Sequence, residues 1–456
     1  MVATSELEVR SPYSGDVVGT VPKEGAEEAR AALDAAAAAL REPLPAYERA
    51  RILERTAQLL EERQEEAARI ICSEAGKPLK TARVEAQRAV STFTFAAVEA
   101  RKLAGEVVPM DASPAGAGKL AFTLRLPIGI VGAISPFNFP LNLVAHKVAP
   151  ALAAGCPVVL KPASATPLSA RFLAGLEEQA GLPAGWLTVV TGSASEIGDV
   201  LVDDERVKLI TFTGSGDVGW RIAERAHRKR VKLELGNATP AIVCGDAPPD
   251  TAAKLAANAF SFAGQSCISV QRIFVMDDAW DDFVAEFVPK VEALKVGDPA
   301  DESTDVGPVI SGHDRDRILE WVRESRGEVL AGGDTDAVGL IRPTVIANPA
   351  ADDRVQCEEV FGPVVTLTRT SSLDDAIERA NATRYGLQAA IFSSDIRTCL
   401  EASRRLEFGG VTVNEAPTFR ADQMPYGGVK ASGNTKEGPA WAVHEMTEER
   451  LVVLQL

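Results

Sequence analysis

The stretch VKLITFTGSGDVGWRIAERAHRKRVKLEL, Val207–Leu235, decides how the chain is read. An apolar run leads into three glycines, Gly214, Gly216 and Gly219, spaced G-x-G-x-x-G. A helical pattern follows over Asp217–His227, and a second apolar run, VKLEL, closes the unit. Parallel sheets are built from such strand–turn–helix–strand units, and backbone N–H groups at the start of the helix favour phosphate. Glu234 stands twenty positions past Gly214, where the spacing rule for dinucleotide sites puts a ribose ligand. A lone glycine fingerprint does not decide between that role and a chemical one.

The alternation extends in both directions. Upstream come GIVGAI with a helix at 141–154, PVVLK with a helix at 167–180, and LTVV with a helix at 194–202. Near-continuous apolar runs of this kind read as a parallel sheet covered on both faces. A second series starts at Pro240: AIVC, QRIFV, PVVTL, AAIFS and VTVN, with helices at 251–263, 279–294, 373–380 and 396–406. Two such units predict an α/β fold with two Rossmann-like domains and a cleft between them. From Ala26 to about Gly105 the pattern is helical. Tyr47–Gly76 reads as a single second helix, with Cys72 on its apolar side and Gly76-Lys77-Pro78 as its stop signal. Val107–Gly129, rich in Pro, Gly and Ala, reads as an excursion of hairpin type. The C-terminal EERLVVLQL is an apolar strand with no cover after it, and pairing with another subunit is expected.

A chain of 456 residues exceeds one compact core, so two or three domains are expected. Asp plus Glu is 64 against 48 Lys plus Arg, a net charge of −16. An acidic surface repels phosphate backbones and anionic lipids, so neither nucleic acid nor membrane is an expected partner. The basic run His227–Lys232 is read as a solvated helix end. The sequence predicts no secretion signal and no membrane span. Six scattered cysteines without C-x-x-C fit free thiols in the cytoplasm, and four histidines without ligand spacing predict no metal site.

Three side chains outside the glycine turn stand where chemistry is done. Asn138, in PFNFP after a strand end, is either a turn residue or a carboxamide aimed at a developing oxyanion. Lys161 ends a strand, and Pro162 follows it; it is a surface lysine or a ribose or phosphate ligand. Cys267, in GQSC between a helix and a strand, is an inert buried thiol or a thiolate nucleophile.

Taken in order, PFNFP, VVLKPASATP, FTGSGDVG, LELGN, FAGQSC, EEVFGPVV, YGLQAAIFS and MPYGGVKASG resemble the NAD(P)-dependent aldehyde dehydrogenase superfamily over nearly the whole chain. The segment Leu406–Lys430 is similar to the branch acting on lactaldehyde, phosphonoacetaldehyde and other small polar aldehydes. The resemblance implies a cofactor domain from 1–106 and 129–235, a catalytic domain over 236–424, and oligomerisation segments at 107–128 and 440–456. It implies a homodimer or homotetramer.

It also assigns roles. Cys267 matches the nucleophile, Glu234 the general base, and Asn138 the oxyanion donor. Lys161 and Ser164 match the adenosine-ribose contacts, and Gly214, Ser215 and Gly219 the pyrophosphate turn, which leaves Gly216 incidental. Glu359 matches the nicotinamide-ribose carboxylate and Phe361 the ring beside the nicotinamide. Asn142, His146, Ser261, Arg420 and Tyr426 match the substrate tunnel. There, His146 and Arg420 either satisfy internal hydrogen bonds or grip a hydroxylated or anionic aldehyde. Two positions depart from the family. Asn237 replaces a second glycine and puts a side chain beside Glu234. Ser164 replaces a carboxylate, which removes repulsion against a 2′-phosphate and tilts the cofactor expectation from NAD toward NADP or dual use. The alternatives are a coenzyme A-acylating enzyme, a succinate-semialdehyde-type dehydrogenase, a thiol hydrolase and a non-catalytic binding protein.

Overall fold

The structure, a computed structural model, describes residues 5–456. Five parallel strands form the first sheet, in the order Leu187–Val189, Val158–Lys161, Ile130–Ile134, Val207–Thr213, Arg230–Glu234. Strand order reverses beside Ile130–Ile134, which opens a crevice at the carboxyl ends of the strands. Val207–Thr213 is buried along its length apart from Lys208 and its last residue, as a parallel strand covered on both faces requires. Every residue of the helix Asn142–Ala154 is buried, which explains its apolar character all round.

The second sheet has seven strands, in the order Glu328–Ala331, Thr344–Ala347, Val364–Thr370, Val270–Met276, Thr239–Val243, Gln388–Phe392, Gly410–Val413. All its pairings are parallel except that of the edge strand Glu328–Ala331. That edge, with Thr344–Ala347 and the helix Gly312–Glu324, falls between the runs read from sequence, where no element was expected.

Two expectations need correction. The helix expected over Tyr47–Gly76 is two helices, Ala46–Glu62 and Gln64–Ala75. Arg63, at φ −115° and ψ 25°, breaks the backbone between them, and Gly76 ends the second at φ 67°. The C-terminal strand Thr447–Gln455 has one partner in its own chain, running antiparallel to Lys119–Pro127, which also pairs with Val107–Val108. Its outer edge and several apolar side chains stay exposed, Leu451 and Leu454 among them. The basic run is not a solvated helix end, because the helix stops at Arg225. Arg230 lies in the last strand of the first sheet and donates to the carbonyls of Glu445 and Thr447, while Lys232 pairs with Glu445.

Candidate active site

Four carboxyl ends of the first sheet meet one crevice. Asn138 follows Ile134, Lys161 and Glu234 each end a strand, and Gly214 and Ser215 follow Thr213. Facing them are the loops that precede two strands of the second sheet, with Cys267 ahead of Val270–Met276 and Glu359 and Phe361 ahead of Val364–Thr370. Between them lies a cleft of about 370 Å³, lined by Asn138, Glu234, Cys267, Glu359, Phe361 and Ser215 among others. A groove of about 690 Å³ adjoins it and shares Ala163 and Thr213 with it; Lys161 and Ser164 lie there.

Cys267 is presented by a strained turn. Phe262, Ala263 and Gly264 all adopt positive φ, at 50°, 51° and 70°. Left-handed backbone costs about 1–2 kcal/mol per non-glycine residue, so neighbours must hold the turn. Gln265 does much of this, donating to Phe262 O and Pro308 O and accepting from Ile310 N at 2.8 Å. Asn138 Nδ2 donates to Gln265 O at 3.0 Å and so binds the first loop to the second. Cys267 Sγ lies 2.9 Å from Tyr426 Oη. Burial pushes the thiol up to about 12, with Tyr426 opposing and the charges of Glu359 and Glu234 adding to it.

Glu234 is buried, and neither carboxylate oxygen has a protein partner. Burial, then the charge of Glu437, holds its pKa well above the usual carboxylate value. Gly427 leaves the room: a Cβ there would stand 2.6 Å from Glu234 Oε1. Burial also raises Glu359 to about 7, against the bond it accepts from Asn237 N at 3.0 Å. Asn237 does not crowd Glu234. Its side chain turns to the second sheet, donating to Thr239 Oγ1 at 2.7 Å and Gln388 O at 3.0 Å.

The three glycines play different parts. Gly214 N donates to Glu234 O at 3.2 Å and lines the cleft, whereas Gly216 faces open space. Gly219 lines neither cavity; a Cβ there would meet Leu235 Cδ2, so it serves helix–strand packing. In the groove, Lys161 Nζ donates to Ser164 Oγ at 3.1 Å, and Ser164 donates to Gly192 O at 2.8 Å. Burial lowers the Lys161 ammonium to about 8.

The tunnel residues divide. Tyr426 touches Cys267, but Asn142 and His146 are bound to Asp422, at 3.2 and 3.0 Å, which also receives Arg88 at 2.9 Å. Burial, then the charge of Arg420, lowers His146 below its usual value. Arg420 donates to Glu437 at 2.8 Å and lies 3.8 Å over the Tyr426 ring, so its guanidinium already has an internal carboxylate. Ser261 lies apart, on a separate cavity with Lys80 and Val84. Arg88, Asp422 and Glu437 carry no local sequence signal, since their partners lie far along the chain.

The profile of the aldehyde dehydrogenase family matches residues 1–452. The chain belongs to this family. A 3-sulfolactaldehyde dehydrogenase of Priestia aryabhattai is 44% identical over 455 residues, covering 99% of this chain and 95% of the relative. Aldehyde dehydrogenase 21 from Physcomitrella patens, solved with the reaction product succinate, superposes with a TM-score of 0.97 at 40% identity, covering 100% of this chain and 96% of that one. Glyceraldehyde-3-phosphate dehydrogenase from Methanocaldococcus jannaschii, solved with NADP, gives a TM-score of 0.95 at 40% identity, with full coverage of both chains. As an aldehyde dehydrogenase, the chain is an oxidoreductase that uses NAD(P) to convert an aldehyde to its acid. Among the described residues, no helix is long and apolar enough to cross a membrane.

Proposed function

We propose that this aldehyde dehydrogenase oxidises a small polar aldehyde to its carboxylate, with Cys267 as nucleophile, Asn138 as oxyanion donor and Glu234 as base. The convergence of these three side chains on one cleft, continuous with a groove sized for a dinucleotide, carries the reading. The groove fits the cofactor. Apolar side chains (Ile134, Phe212, Val218, Ile222) suit an adenine, and Lys161 is buried with no carboxylate partner. Asp199, the acid on the groove wall, is paired with Arg225. Ser215 lies at the start of the helix Gly216–Arg225, where phosphate is favoured. Glu359 is placed to hold the nicotinamide ribose and Phe361 to border the ring. When bound, the nicotinamide supplies the hydride acceptor.

Cys267 gives up its thiol proton to solvent, Sγ forms a bond to the aldehyde carbon, and the carbonyl π bond breaks so that its oxygen becomes an oxyanion. Asn138 Nδ2 and the Cys267 N–H receive it; one such donor is worth about 3–4 kcal/mol in the transition state. Loss of hydride leaves a thioester on Cys267. Glu234 then takes a proton from water, the hydroxide attacks the thioester carbon, and the acid leaves as Sγ regains its proton. A buried base without partners holds water in place, which disfavours transfer to coenzyme A.

The substrate class is a small hydroxylated or anionic aldehyde. The polar surroundings of Cys267 and the activity named for the sulfolactaldehyde relative support it. NADP is the preferred cofactor on three grounds. Ser164 is neutral, Lys161 is unpaired, and Arg221 lines the groove with only Asp217 O as acceptor, at 3.1 Å. The test is a panel of lactaldehyde, 3-sulfolactaldehyde, succinate semialdehyde and glyceraldehyde 3-phosphate with each cofactor. A higher kcat/KM with NADP and with one of these aldehydes than with acetaldehyde is expected; equal use of acetaldehyde rejects the substrate class. Arg221→Ala should raise KM for NADP about ten-fold, as loss of a charged hydrogen bond implies, and leave KM for NAD almost unchanged.

The cofactor domain is 1–106 with 129–235, the catalytic domain 236–424. The free edge of Thr447–Gln455 and its exposed leucines support a homodimer or homotetramer built through 107–128 and 440–456; a monomer in sedimentation would reject this. Six free cysteines support a cytoplasmic location, which cell fractionation checks.

A further inference from the structure

Lys77 and Glu85 are both wholly buried and paired with each other. Sequence reading gives Lys77 only a part in a helix stop. Its surroundings say more. Gly76, at φ 67°, packs on Pro308, whose carbonyl receives Gln265 Nε2 at 3.2 Å. The next residue, Lys77, sends its ammonium between two rings, 3.7 Å from the centroid of Phe139 and 4.5 Å from that of Phe262. Phe139 is the neighbour of Asn138. Phe262 is the first residue of the left-handed turn that leads to Gln265 and Cys267.

Glu85 completes the arrangement. Its Oε1 accepts from Leu141 N at 2.9 Å and Asn142 N at 3.1 Å, the first amides of the helix Asn142–Ala154. That helix has no side-chain cap of its own. An unpaired helix start needs an acceptor, and a carboxylate there also suits the helix dipole. The pair therefore grips the Asn138 loop from both sides, through the helix start and the Phe139 ring, and grips the Cys267 loop through Phe262.

Stability alone does not account for a buried ion pair. Desolvation offsets most of the Coulomb attraction, and apolar residues of like volume often serve a core as well. An ammonium has a different use here. Attraction to an aromatic face is directional, and this ammonium meets one ring from each loop. We infer that Lys77 and Glu85 are positioning residues that hold Asn138 Nδ2 and Cys267 at the separation the oxyanion requires. The inference rests on the roles proposed for Asn138 and Cys267, and it concerns residues that touch neither substrate nor cofactor.

The experiment is a double-mutant cycle on the full enzyme, assayed with lactaldehyde and NADP, with kcat expressed per mole of folded protein. Lys77→Met is expected to lower kcat by roughly 10–100-fold, as a displacement of about 1 Å at the reacting centre implies, with KM for NADP almost unchanged. In an Asn138→Ala background the same change should cost less than about three-fold, because the donor it positions is gone. Equal factors in the two backgrounds overturn the inference, as does a wild-type kcat in folded Lys77→Met. A wild-type kcat in Asn138→Ala overturns the reading beneath it instead. If Lys77→Met does not accumulate, Phe139→Leu carries the cycle without stranding a charge. It should lower kcat about five-fold in the native background and hardly at all beside Asn138→Ala, and equal losses overturn the inference.

Discussion

Glu234→Gln is expected to release about one reduced cofactor per subunit in a rapid burst and then slow to a steady rate about 10²–10⁴-fold below wild type, the usual contribution of a general base. The amide keeps the volume of the carboxylate beside Gly427 but cannot take a proton from water. Hydride loss then proceeds while the thioester persists on Cys267. Stopped-flow absorbance of the reduced nicotinamide separates the two phases. The wild-type pH profile follows from the same environment. Burial and Glu437 raise Glu234, so its base form grows only as pH rises above the ordinary carboxylate range. Burial raises the Cys267 thiol in the same direction. The steady rate should therefore climb from neutral toward alkaline pH, and the share of that climb due to hydrolysis should vanish in Glu234→Gln. A variant that weakened cofactor binding and kept normal turnover would return Glu234 to the ribose role that its spacing from Gly214 implies.

Cys267→Ala is expected to abolish turnover with every aldehyde, a loss on the order of 10⁴–10⁶-fold, in the range seen when a covalent nucleophile is removed. Cofactor affinity should hold, because the groove around Lys161 and Ser164 is formed by other loops. Isothermal titration with NADP and initial rates with lactaldehyde check the two halves. Retained turnover would move the covalent chemistry elsewhere. Of the remaining thiols, Cys72, Cys156, Cys244 and Cys399 are buried in the cores, and Cys357 lines neither the cleft nor the groove.

The sheets were legible because strand periodicity is local. Val207–Leu235 reads correctly as a strand, a glycine turn, a helix and a strand, with ends shifted by a residue or two. That Asn138, Glu234 and Cys267 share one cleft was legible only from their ordered set of motifs, since each has an ordinary structural role when taken alone. What escaped depends on long-range partners. The carboxylate of Asp422 receives Arg88, Asn142 and His146 from helices some 280 to 330 residues away in sequence. The C-terminal strand pairs with Lys119–Pro127, which no local pattern announces. Phe262 and Ala263 are poor choices for left-handed backbone, so the turn before Cys267 follows from its neighbours and not from its composition. A buried lysine looks like any surface lysine until its carboxylate and rings are in place.

The bond from Asn138 Nδ2 to Gln265 O crosses the mouth between the two sheets, two residues from Cys267. One hydrogen bond tolerates only a few tenths of an ångström of stretch before it fails. It therefore ties the loop after the first sheet's strand Ile130–Ile134 to the loop that carries Cys267, so the spacing of two sheets at the cleft is set by one amide.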